Sequence, residues 1–157
     1  MDKNIQIEVH SADLIVVGGT PAGIMAGIAA AENGLSVIIL ERSHHVGGLP
    51  ANGLGATDIS TRGLAAGLFR DFTNRIRDYY EKTYGIDSEQ YKTCSSGYHF
   101  EPSVAENILN TMLSEHPGIT LLLERQLDPG SASVDVQNGV IASLKVHTLW
   151  MPLTREI

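Results

Sequence analysis

The residues best placed to do chemistry in this chain are a cluster of glycines and one glutamate. Gly18-Gly19-Thr20-Pro21-Ala22-Gly23 follows an apolar run, Leu14 to Val17, and opens a stretch of small residues. Backbone N–H groups left free by such a turn at a helix N-terminus can approach a phosphate, and the positive end of the helix dipole adds to the attraction. A second apolar run, Val37 to Leu40, ends on Glu41, 18 positions beyond Gly23. That is close to the offset of about 20 at which a carboxylate accepts hydrogen bonds from ribose hydroxyls. Turn and acid together make the two halves of a dinucleotide site. The pattern departs from G-x-G-x-x-G at Thr20, whose side chain crowds the pyrophosphate position but whose hydroxyl can donate to it. A plain parallel βαβ unit with a glycine-rich turn is the alternative; strand, helix and acid in the right order favour the dinucleotide.

The elements that position these residues follow from their types. Pro21 suits a first helical turn, where its missing N–H is not needed, and Gly34 fits the helix stop. Gly23, Ala26, Gly27 and Ala30 recur at i, i+3, i+4 and i+7, a face without bulk that allows close packing on a sheet. Ile24, Ile28 and Ala31 occupy a neighbouring face, so the helix is apolar nearly all round and reads as buried. After Glu41 comes a long glycine-rich loop carrying Gly47, Gly48, Gly53 and Gly55, and a loop of that length is usually functional. A helix is expected from about Leu64 to Tyr84, with Leu64, Leu68, Phe69, Phe72, Ile76 and Tyr79 facing the core. Arg70, Asp71, Arg75, Arg77 and Asp78 form its solvated side.

Residues 85–100 read as a polar excursion. A further helix runs from Glu101-Pro102-Ser103 to about Glu115, with Val104, Ile108, Leu109 and Met112 as its stripe, and His116-Pro117-Gly118 stops it. Ile119 to Leu123 is an unbroken apolar run, expected as a third parallel strand beside the second. Val134–Val136 and Val140–Val146 flank Asn138-Gly139, the signal of a type I′ hairpin, and the alternation from Val140 gives it one apolar face. The fold class is α/β: a Rossmann-like three-layer fold with a parallel sheet and a C-terminal β-hairpin.

Composition narrows the function. The 157 residues make one domain with a real core, and 43% hydrophobic with 18% charged residues describes a globular protein. Eleven basic against eighteen acidic residues leave a net charge of −7, which argues against nucleic-acid binding as the main activity. One cysteine, Cys94, excludes an intramolecular disulfide and a cysteine-rich zinc site; it reads as a packing or loop residue. Leu14 to Ala31 carries no charge, but the glycine-proline turn within it argues against a membrane span. Residues 1–13 hold one lysine against three acids, unlike a signal peptide, so the cytoplasm is the expected compartment. No metal site is expected. His99 near Glu101 lacks ligand spacing, and His44 and His45 read as solvated loop residues. Asp58 either contacts a ligand or caps a turn.

These residues resemble the FAD-dependent oxidoreductases with the glutathione-reductase-type nucleotide fold. VVGGTPAG, the acid ending IILE and the Gly47-Gly48 pair after it carry the likeness; NAD-binding domains share the first two, and the glycine pair is typical of FAD domains. GGLPANGLGATDIS followed by a long helix looks like the broad FAD-dependent oxidoreductase family. The resemblance covers about residues 12–147, with 1–11 an extension and 148–157 a tail that does not match. It implies noncovalent FAD, with Gly18, Gly19, Thr20, Pro21, Ala22 and Gly23 forming the pyrophosphate turn and Glu41 holding the adenosine ribose. Arg42 would lie near the adenine, and Gly47, Gly48, Gly53 and Gly55 near the phosphates, ribityl chain or flavin. The backbone of Arg125, Gln126 and Leu127 would border the adenine. An NAD-dependent dehydrogenase, for which Glu41 would disfavour NADP, and a non-catalytic nucleotide-binding or partner-dependent protein are the alternatives. Family members continue past the hairpin into another parallel strand, a substrate domain and a late Gly-Asp motif, which HTLWMPLTREI does not resemble. The sequence therefore reads as the N-terminal part of a flavoenzyme, with catalytic residues and substrate unassigned and self-association or a missing portion expected.

Overall fold

The computed structural model describes residues 8–59, 61–130 and 133–148; most of the expected N-terminal extension and of the tail lie outside the described residues. Three parallel strands, β1 (Leu14–Val17), β2 (Val37–Leu40) and β3 (Ile119–Leu122), form a sheet in the order β1-β2-β3. Leu14 pairs with Val37, and Val37 in turn with Ile119, so the three runs lie level with one another. Helix α1 (Pro21–Glu32) joins β1 to β2, as the sequence indicates. β2 lies between the other two strands and is buried along its whole length, whereas β1 alternates and leaves Ile15 and Val17 exposed.

Glycine sets the distance between α1 and the sheet. A Cβ on Gly23 would land on the Gly18 carbonyl oxygen, and one on Gly27 would meet the Ile39 side chain. Without those methyls, Ile24 and Ile28 sink completely into the core beside Val37 and Ile39. Ala26, expected on the sheet-facing side, is exposed together with Ala22 and Ala29. The helix is thus covered on the side of its isoleucines, and its open side presents the methyl groups of Ala22, Ala26 and Ala29 and, at its end, Glu32.

Helix α4 (Pro102–Ser114) packs on α1 and on α2 (Gly67–Tyr84). Val104, Ala105, Leu109, Met112 and Leu113 complete one core with Phe72, Ile76 and Tyr80 of α2. Two expectations for α2 need correction. It begins at Gly67 rather than Leu64, because Gly67 takes φ +58°, which a helix interior cannot hold. Leu64 instead sits in a short 3-10 turn, Arg62–Leu64, and is 81% exposed. Arg75, read as part of a solvated face, clamps two helices: Nη1 and Nη2 donate to the two Glu115 oxygens at 2.7 and 2.8 Å, and Nε donates to Asp71 at 2.9 Å.

Residues 85–100 are less polar in effect than they read. They include α3 (Glu89–Thr93) and fold back on α2, burying Cys94, Tyr98 and Phe100. Phe72 and Phe100 meet edge to face at 5.8 Å, and the Tyr80 hydroxyl accepts from the Glu101 N–H at 3.1 Å. Gly97 makes this approach possible. It has φ +85°, and an added Cβ would strike the Thr73 carbonyl of α2.

The chain ends in two antiparallel ribbons. β5 (Val134–Gln137) and β6 (Val140–Leu144) flank Asn138 and Gly139 at φ 53° and 80°, both left-handed, as a type I′ turn requires. The register slips between Asp135 and Val136, so Val136 faces Ile141. The expected single strand through Val146 breaks after Leu144, and β7 (Val146–Thr148) pairs instead with β4 (Arg125–Leu127). Of the expected apolar face, Val140, Ala142 and Val146 stay exposed and Leu144 is half-buried, while Val136 and Ile141 are exposed as well.

Gly97→Ala is expected to destabilise the chain by at least about 1–3 kcal/mol, because overpacking against Thr73 adds to the strain of a side chain at positive φ. Gly85→Ala, also at positive φ but with open space around it, serves as the control. Urea unfolding in which the two variants lose equal stability would show that the Thr73 approach contributes nothing.

Candidate functional site

A cleft of about 760 Å³ opens at the carboxyl ends of the parallel strands, where α/β sheets place their ligands. Its walls come from the β1–α1 turn (Val17, Gly18, Thr20), the end of β2 (Leu40 to Ser43), the loop through His45, Gly48, Leu49 and Asn52, and β4 (Arg125, Gln126, Leu127).

Glu41 is the polar centre of this region. It is 9% exposed, and its carboxylate takes three hydrogen bonds: from the Gly19 N–H at 2.7 Å, and from the N–H and hydroxyl of Ser43, both at 2.8 Å. Burial pushes the carboxyl up, but the Ser43 and Gly19 donors and the Arg42 charge outweigh it and hold the group below its ordinary range. A carboxylate offers about four acceptor sites, so about one remains for a ligand hydroxyl. The Glu41 carbonyl accepts from Arg125 N–H at 2.9 Å, which seats β4 beside the acid.

Thr20 explains its own departure from the glycine pattern. It is the N-cap of α1 in extended conformation, and its hydroxyl accepts from the Gly23 N–H at 3.3 Å. A second glycine there would leave that donor unmet. Gly19 lies buried beneath the turn; its carbonyl accepts from Gly47 N–H at 2.8 Å, tying the turn to the following loop. Among the described residues the N–H groups of Thr20 and Ala22 have no protein partner, and no acidic residue lies in the first turn of α1.

Of the residues singled out from sequence, Gly18, Thr20, Glu41, Arg42, Gly48, Arg125, Gln126 and Leu127 line the one cleft. Gly19, Pro21, Ala22 and Gly23 form the turn and helix start behind its wall. Gly47 is buried against Ala51 and Leu109, a supporting position. Gly53 lies in the wide helical turn Pro50–Leu54, lining neither cavity, and Gly55 borders a separate pocket of about 300 Å³ with Tyr80, Cys94 and His99. The loop turns away from the cleft after Asn52, whose side-chain amide donates to the Gly48 carbonyl at 2.7 Å. Asp58 is exposed and borders neither.

Two residues carry more than the sequence suggests. Ser43, two positions after the acid, faces it with both its N–H and its hydroxyl, and the single hydroxyl proton is shared between Glu41 Oε1 at 2.8 Å and the His45 carbonyl at 2.6 Å. His45 is not a solvated loop residue, unlike exposed His44: it lines the cleft, and its Nδ1 is buried 3.8 Å from Glu106 Oε1 of α4. Glu106 is 61 positions away, so no local spacing signals it. Among the described residues no group of three or more His, Cys, Asp and Glu could hold a metal, and no helix is long and apolar enough to cross a membrane.

A family model described as FAD dependent oxidoreductase matches residues 13–151. The mitochondrial dihydrolipoyl dehydrogenase of Dictyostelium discoideum is 31% identical over 85 residues, covering 51% of this chain and 17% of that protein. The L-amino acid deaminase of Proteus vulgaris, with its specific insertion sequence deleted, matches 94% of this chain at a TM-score of 0.57 and 17% identity. The L-proline dehydrogenase of P. horikoshii matches 87% at a TM-score of 0.54 and 14% identity. At such identities the structural likeness speaks for the fold alone. The chain spans 52% and 49% of those two solved chains, about half their length.

The Glu41 network makes a prediction with a definite sign. A carboxyl whose folded pKa is depressed stabilises above the unfolded value, ordinarily 4.5, and loses that contribution as pH falls through the folded value. Glu41→Gln keeps the size but places an NH2 against N–H donors, a loss of about 1.5–3 kcal/mol at neutral pH for hydrogen bonds to a charged group. Urea unfolding of both proteins from about pH 7 to about pH 3 should show the gap closing in acid. A gap that stays constant across the range would deny the network its charge.

Proposed function

Because the chain belongs to the FAD-dependent oxidoreductase family, we propose that its cleft binds FAD noncovalently and that the chain supplies the dinucleotide-binding portion of an oxidoreductase. The observation that carries this reading is the placement of a phosphate-facing turn, a buried acceptor and two arginines around one cleft. The turn Gly18 to Gly23 receives the pyrophosphate, with the N–H groups of Thr20 and Ala22 and the α1 dipole as its donors. Glu41 accepts from the adenosine ribose through its remaining acceptor site, and Gly19 stays engaged in holding that carboxylate.

The rest of the cleft suits the remaining parts. Arg42 and the backbone of Arg125, Gln126 and Leu127 border the adenine. Gly48 has φ +53°, and a Cβ there would crowd Pro21 at 3.3 Å, so a bare backbone keeps the loop close to the turn. Gly53 and Gly55 carry no role in this reading, since the loop leads them away. Bound FAD supplies the hydride chemistry; this chain's own residues bind and orient the cofactor. No residue here is assigned to substrate.

The test separates the two halves of the cofactor. Glu41→Gln should weaken FAD and AMP about tenfold or more while leaving FMN, which lacks the adenosine half, nearly unchanged. Titration followed by flavin fluorescence and by calorimetry reads both. Equal losses for AMP and FMN would move the ribose elsewhere, and a protein that binds NADH but not FAD would replace the cofactor.

A further inference from the structure

His45 and Glu106 form a charge-ready pair that the FAD reading does not use. His45 lines the cleft, yet its ring Nδ1 is buried and is the one buried side-chain polar atom without a hydrogen-bond partner among the described residues. Glu106 Oε1 stands 3.8 Å away, within ion-pair range but too long for a hydrogen bond. A neutral imidazole turns either an unused N–H or a lone pair toward that carboxylate. A protonated ring has a donor on each nitrogen, so Nδ1–H can close on Glu106 while the charge sits at the cleft wall. The other charged or titratable groups around it are His44, whose ring lies 5.1 Å away, and Glu41, Arg42 and Arg125 of the cleft. Glu41 is committed to its three donors and the arginines do not titrate in the histidine range.

We infer that His45, backed by Glu106, is a proton-gated phosphate ligand: the dinucleotide diphosphate and one proton bind together, so the cleft holds its cofactor more tightly in mild acid than in mild base. This inference rests on the dinucleotide occupying the cleft, and adds a cation that the glycine turn and Glu41 do not supply. His45 acts through binding; no bond is made or broken.

FAD is the probe, because its internal diphosphate carries no ionisation in the range where histidines titrate, about pH 5 to 8. Affinity for the full chain should fall toward about tenfold per pH unit on the alkaline side of that range, the limit for one linked proton. Calorimetry in buffers of different ionisation enthalpy should register proton uptake on binding. His45→Gln should remove both signatures and hold FAD at the weak alkaline affinity throughout. Glu106→Gln should reduce the affinity gained on acidification, and His44→Gln should leave the profile intact. FAD binding with a flat pH profile, or a slope that survives His45→Gln, overturns this inference and leaves the cofactor reading standing. Absence of FAD binding at every pH overturns the cofactor reading, and this inference with it.

Discussion

One buried carboxylate holds together the three segments from which the cleft is made. Glu41 ends the central strand, reaches back to the Gly19 N–H of the β1–α1 turn, and reaches forward to Ser43. The Ser43 hydroxyl also lies 2.6 Å from the His45 carbonyl, with which it shares its one proton, and Gly47 returns to the Gly19 carbonyl, closing a ring of polar contacts around the acid. A charge buried without partners would cost several kcal/mol or force protonation, so the ring is a condition for the carboxylate to be present at all. In return the carboxylate sets the turn, strand end and loop in one relative position. On the proposed reading, an acceptor for the sugar and a turn for the phosphate are useful only at a fixed separation, and Glu41 would be both the acceptor and the brace.

The same constraint explains which parts could be read in the sequence. β1, α1 and β2 announce themselves through local chemistry: apolar runs, Pro21 at a helix start and Gly34 after its end. Asn138-Gly139 is as direct, since both residues must take left-handed φ and these two do so cheaply. Thr20 was legible as an anomaly and not as a cap, because the glycine pattern hides the fact that its extended backbone needs no glycine.

What stayed hidden depends on partners far along the chain. Leu64 shares the helical period of Phe72 and Ile76, but Gly67 stops the helix short of it. Gly97 reads as an ordinary loop glycine until α2 is laid against it. Arg75 looks solvated until α4 brings Glu115 within 2.7 Å, and His45 looks solvated until the same helix brings Glu106. Each of these residues has a type common on surfaces, and only tertiary packing decides otherwise. The candidate site was therefore legible in its turn and its acid, while its supports were not.

The electrostatics of the cleft depend on local charge more than on the total. A net charge of −7 disfavours a diphosphate approaching the chain at random. At the cleft the balance reverses. Glu41 is the acid among its lining residues, and its charge is spread over three donors beneath the surface; Arg42 and Arg125 stand at the wall. The first turn of α1 carries no acid to compete for its N–H groups, and Thr20 satisfies one of those groups while leaving its own N–H and that of Ala22 open. Screening at physiological salt acts over about 8 Å, so distant surface acids weigh little against charges in direct contact with the ligand. On the proposed reading an acidic chain holds an anion because the acid lining its cleft is already satisfied by two backbone N–H groups and the Ser43 hydroxyl.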